Sequence, residues 1–99
     1  MEPKPKGPDD SAFHEQFAQL RRHFVEGLAR REHEIDASAD LVARHAVLHR
    51  LAGAAGAFGY EELGECARRV MHCVRAGDAA AVALQVAQLK SVMHTISQS

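Results

Sequence analysis

From Phe13 onward the apolar positions recur every three or four residues in four successive blocks, and no segment shows the two-residue alternation of a strand. In the first block Phe13, Phe17, Leu20, Phe24 and Leu28 share a face, while Arg21, Arg22, Glu26, Arg30 and Arg31 fall mostly on others. This predicts a long amphipathic helix that starts from the capping candidates Asp9, Asp10 and Ser11 and ends near Ile35. The stretch from Asp36 to Asp40 carries further caps, with Ser38 the leading one, for a second helix reaching Phe58 and stopped by Gly59. Glu61 and Glu62 place acid at the start of a third helix, whose inward stripe is Leu63, Cys66, Ala67, Val70 and Val74. Ala76-Gly77-Asp78 then reads as a stop, a left-handed turn and a fresh N-cap. The fourth helix faces inward with Val82, Val86, Leu89, Met93 and Ile96.

Four amphipathic helices on short connections predict an all-α fold, a four-helix up-down-up-down antiparallel bundle. Residues 1–10 hold all three prolines, with Lys4, Lys6 and Gly7, and no periodicity; they are expected to be a disordered tail before a single domain over residues 11–99. The four phenylalanines and Met93 are assigned to the core by their spacing.

One part of the second helix is not explained by packing. At about 100° per residue, Val47, Leu51, Ala54, Ala55 and Phe58 gather on one side and His49 points to the opposite one. Around it on the outer face come Val42, His45 and Ala46, then Ala52, Gly53 and Gly56, all small or uncharged. Each interior glycine costs a helix about 1 kcal/mol relative to alanine, so Gly53 and Gly56 beside an exposed imidazole suggest a surface kept low for close approach by a partner.

Composition narrows the field of partners. Ninety-nine residues, 46% of them hydrophobic, suit one small core. A net charge of −1 and a pI near 6.6 give no general attraction to nucleic acid or anionic membrane. The arginines of the first helix are interrupted by Glu26, Glu32 and Glu34 and have no aromatic platform for bases. No apolar run has the length of a transmembrane helix and the start lacks a signal peptide's apolar stretch, so a cytoplasmic location is expected. Cys66 and Cys73 lie seven apart on a helix, roughly 10 Å along its axis and beyond the reach of a disulfide, and are expected as free thiols. His45 and His49 at i and i+4 could share a zinc ion, yet no HExxH or CxxC completes a ligand set, and no metal is assigned. There is no phosphate-binding glycine loop of the GxxxxGK[ST] or kinase type, and no acidic cluster for magnesium.

The run His49-Arg50-Leu51-Ala52-Gly53 with Gly59 six residues further resembles the signature of histidine-containing phosphotransfer domains, roughly His-Xaa-Leu-Lys-Gly followed by Gly. His49, Leu51, Gly53 and Gly59 match; Ala52 stands where that family has lysine. The resemblance runs from about Phe13 to Ile96 and is sharpest from His49 to Val70, including Gly59-Tyr60-Xaa-Xaa-Leu63. It implies the same helical bundle, with His49 as phosphoacceptor, shuttling a phosphoryl group between aspartates of receiver domains in a multistep two-component phosphorelay. Arg50, by its long stem, and His45, one turn earlier, are candidates to support the phosphate. Val42, Ala46, Ala52, Gly53 and Gly56 are candidates to dock the partner. The expected partners are receiver domains of response regulators and of a hybrid sensor histidine kinase, with no nucleic acid, no membrane, and a monomeric chain. The chain would carry phosphate without using ATP and bind no cofactor; the resemblance puts magnesium on the receiver. The competing reading is an unphosphorylated interaction domain that sequesters a receiver or kinase through the same face.

Overall fold

The structure is a computed structural model and describes residues 8–38 and 40–99. It holds five helices, α1 (Pro8–Glu26), α2 (Leu28–Ala37), α3 (Leu41–Ala57), α4 (Glu61–Ala76) and α5 (Ala79–Gln98), with no strand among the described residues. The all-α bundle stands: α2 packs on α3, α3 on α4, α4 on α5, and α5 closes back on α2. The predicted first helix, however, is two. At Gly27 the backbone has φ −83° and ψ −4°, and the Gly27 N–H divides between the carbonyls of His23 at 3.0 Å and Phe24 at 3.2 Å. A shared donor of this kind loosens the regular ladder, and glycine is a common site of such a break.

The N-terminal boundary also moves. Of the predicted tail, residues 1–7 lie outside the described residues, whereas Pro8–Asp10 already belong to α1. Proline is suited to a first helical turn because its missing N–H has no intrahelical partner there anyway.

Leu28, Ile35, Leu48, Leu51, Leu63, Val70, Leu89 and Met93 are buried at the centre, with Phe24, Val47, Ala55, Cys66 and Ala67 around them. The apolar stripe of α1 reaches this core only at its C-terminal end. Phe13 (65% exposed) and Phe17 (37%) lie outside it, contrary to their assignment to the core, as does Leu20 (57%) of the same stripe. The α3–α4 turn supplies the last layer that α1 can pack against: Phe24 stacks on Phe58 and Tyr60 with ring centroids 5.4 and 5.8 Å away, and Phe17 still touches Phe58 at 5.5 Å. Beyond that layer Phe13 stacks on Phe17 and meets the His14 ring edge-on.

The helix ends explain why α3 sits where it does. Ser38 does not cap it. The Ser38 hydroxyl donates back to the Glu34 carbonyl at 2.6 Å and finishes α2, while the Asp40 carboxylate accepts the Ala43 N–H at 2.7 Å and starts α3. A carboxylate at that position satisfies an orphan donor and complements the positive helix end better than a hydroxyl already engaged elsewhere. At the other end Gly59 adopts φ +83°, a left-handed conformation that turns the chain into α4. Gly77 does the same at φ +73° before Asp78, whose carboxylate accepts the Ala81 N–H at 3.1 Å.

Candidate functional site

Helix α3 has one face in the core and one in water, and the division falls close to that read from the sequence. Val47, Leu48, Leu51 and Ala55 are buried, whereas His45, His49, Gly53 and Gly56 are exposed and Val42 is 81% exposed. Ala46 is half-buried at the edge of this face. The rings of His45 and His49 lie nearly parallel, 11° between planes and 6.1 Å between centroids. A Cβ added at Gly53 or Gly56 would meet nothing within 4 Å, so neither glycine is required by packing inside the bundle. The surface beyond His49 is open and low.

Ala52 departs from the expected docking face. It is only 6% exposed, because it sits at the crossing of α3 with α4. A Cβ added to the buried Gly64 would lie 3.4 Å from the Ala52 carbonyl oxygen, so the two small residues let the backbones approach. About 100° per residue places Ala52 some 60° from His49 around the helix, enough to turn it from water to the neighbouring helix. Ala52 is therefore a packing residue here.

Arg50 is turned the other way. It is exposed, and its charge acts on Arg31 of α2. Burial holds the Arg31 guanidinium below its ordinary value; Glu34 opposes that shift, and Arg30 and Arg50 add to it by repulsion. Arg50 is thus near enough to α2 for its charge to reach Arg31, and it is not among the residues that line the groove between α3 and α4. His45, by contrast, lines that groove with Leu41 and Val42, opposite Met71, Val74 and Arg75.

The α4 side of the groove was not read from the sequence. Gly64, Arg68, Met71 and Arg75 are spaced four, three and four apart, which sets them on one side of α4; Met71 and Arg75 line the groove with α3, and Arg68 also borders a second groove with Glu65, Arg69, His72 and, from α5, Gln85. The available signal was Gly64 itself, a helix-weakening residue among the buried positions of a strongly amphipathic helix, which marks a close crossing. Among the described residues Arg68 has no ion pair or hydrogen bond, whereas the adjacent Arg69 reaches Glu65 at 3.5 Å. Helix α3 contains no acidic residue, so the face around His49 is bordered by positive and neutral groups only along its own length.

Among the described residues no group of three or more His, Cys, Asp or Glu side chains stands close enough to hold a metal ion, and no helix is long and apolar enough to cross a membrane. Cys66 is buried and Cys73 half-buried, both as free thiols. Burial pushes the Cys66 thiol up; Glu62 and Glu65 push the same way, and the nearby Arg69 pulls it back.

A helical bundle that presents His45 and His49 on an open helix face beside Gly53 and Gly56 offers a surface to a partner rather than a cavity that encloses a substrate. A family model, the Hpt domain, matches residues 12–99, and the chain belongs to that family of histidine phosphotransfer domains. Membership places it in phosphorelay signalling of the two-component type, whose Hpt domains generally interact with receiver domains. Comparison with curated proteins gave no match, and comparison with solved structures gave none.

Proposed function

We propose that the chain is a phosphoryl carrier in which His49 accepts a phosphoryl group from an aspartyl phosphate on one receiver domain and returns it to an aspartate on another. The observation that carries this reading is the exposure of His49 between His45 and Gly53 on a face where nothing stands within 4 Å of the glycine Cβ positions. A neutral ring nitrogen attacks phosphorus, the N–P bond forms as the P–O bond to the aspartate breaks, and the aspartate leaves as a carboxylate. The reverse transfer regenerates the free imidazole. Catalytic charge stabilisation, including magnesium, belongs to the receiver in this reading, and the carrier contributes position and a surface that allows in-line approach.

The experiment is incubation of the chain with a panel of phosphorylated receiver domains and magnesium, following label on both proteins. Transfer from at least one receiver to the chain, and onward to a second, is the expected result. The alternative, a domain that binds receivers without accepting phosphate, predicts complex formation by a receiver while the label stays on its aspartate or is lost to water.

A further inference from the structure

If His49 carries a phosphoryl group, at least one cation should hold it, and the register of α3 against α4 identifies which. Ala52 lies opposite Gly64, and further along, in the antiparallel sense, Leu41, Val42 and His45 of α3 share a groove with Met71, Val74 and Arg75 of α4. His49 is between Ala52 and His45 on α3, so it faces the part of α4 between Gly64 and Met71. The residue on that rim is Arg68, four beyond Gly64 and three before Met71. Its guanidinium lies over the helix crossing: two of its nitrogens stand 3.5 and 3.6 Å from where a Gly64 Cβ would be. A side chain at residue 64 would take that space. Arg68 is exposed and, among the described residues, without a partner, so its arm is free to move along the rim. The other cations are worse placed: Arg50 is about 100° further round α3 on the side whose charge reaches Arg31, Arg69 is engaged by Glu65, and Arg75 lies two helical turns further on.

The geometry points to Arg68, reaching across from α4, as the side chain that holds the phosphoryl group on His49 by charge-assisted N–H donation to its oxygens. The assignment rests on the phosphoacceptor reading above and adds to it the residue that stabilises the phosphorylated state. Guanidinium presents planar paired donors that match two phosphoryl oxygens, and an ammonium group would match them only as a point charge.

The test uses the full chain and a small phosphoryl donor, phosphoramidate, so that no receiver is needed. Phosphorus passes from the donor nitrogen to a ring nitrogen of His49, and ammonia leaves. The phosphoryl group is then titrated by phosphorus NMR in the unchanged chain and in Arg68→Gln, Arg68→Lys and Arg50→Gln. The groups on these two helices that carry charge or titrate there are His45 and Arg50 on α3 and Glu65, Arg68, Arg69, His72 and Arg75 on α4; all but Arg68 stay constant in the decisive comparison. A neighbouring cation favours the dianion, so Arg68→Gln should move the midpoint up by about half a pH unit, with Arg68→Lys in between and Arg50→Gln unmoved. Equal midpoints for Arg68→Gln and the unchanged chain would overturn the assignment to Arg68 and leave the phosphoacceptor reading standing. Absence of any phosphohistidine signal on His49 in the unchanged chain would overturn both.

Discussion

A Cβ built at Gly53 meets no heavy atom within 4 Å, and Gly53 lies one helical turn beyond His49 on the same exposed face. Folding and docking therefore make opposite demands on this position. Gly53→Ala places a methyl in open space and removes the backbone freedom of a helical glycine, which should stabilise α3 by up to about 1 kcal/mol. In a domain of this size that amounts to a rise of about 4–8 °C in Tm. Gly53→Gln keeps most of that gain, since glutamine is a good helix former, but lays a long side chain across the approach to the imidazole. Displacing reacting groups by about 1 Å can cost around a hundredfold in rate. Thermal unfolding followed by circular dichroism reads the first effect, and the rate of phosphoryl transfer from a receiver reads the second. Both variants should melt at or above the temperature of the unchanged chain, while transfer falls from glycine to alanine to glutamine. A clear fall in Tm for Gly53→Gln would refute the reasoning, because it would mean that the Gly53 face is packed within the bundle.

Leu48 is fully buried, so Leu48→Ala should lose about 2–5 kcal/mol in denaturant unfolding, the combined loss of transfer energy and of contacts around the cavity. Asp40→Ala should cost about 1 kcal/mol by removing the α3 cap, whereas Ser38→Ala, at an exposed helix end, should stay within about 0.5 kcal/mol. Iodoacetamide should modify the half-buried Cys73 well before the buried Cys66, as mass mapping would show. Because the folded chain holds the Cys66 thiol above its ordinary value of 9.0, the contribution of that proton to stability is complete below that value and is lost as pH rises through the raised one. Melting temperatures from neutral to alkaline pH should accordingly fall less steeply for Cys66→Ala than for the unchanged chain.

The bundle was legible because its information is local and periodic. The stripes of α4 and α5, the left-handed turns at Gly59 and Gly77, and the cap at Asp78 each need only a few neighbouring residues to be read. The first helix was legible in type but not in fate. The spacing of Phe13, Phe17 and Leu20 describes an apolar face, but whether that face is covered depends on how far α3, α4 and α5 extend beside it. The exchange of Ser38 for Asp40 has a similar origin: two caps two residues apart compete, and the hydroxyl of Ser38 is taken by the Glu34 carbonyl while the Asp40 carboxylate is free to accept from α3.

For the candidate site, the outward direction of His49 followed from helical geometry alone. Its neighbours did not. Ala52 is about 60° from His49 on the helix, and only the crossing against Gly64 determines that this difference buries it. Arg50 is adjacent in sequence, and its charge acts on Arg31 of α2, while Arg68 is nineteen positions away, on α4 beside the Gly64 crossing. Residues brought together by an antiparallel helix pair share no short motif, so a one-helix reading finds the nucleophile candidate and misses what the neighbouring helix sets beside it.

The central claim is that His49 itself bears the transferred phosphate. It is tested most directly by mapping the modified residue after incubation with a phosphorylated receiver domain, on the unchanged chain and on His49→Gln. The account predicts one acid-labile, base-stable phosphohistidine at His49, and no label on His49→Gln, whose helical content matches that of the unchanged chain. Label that persists in folded His49→Gln, or that maps to His45, would contradict it.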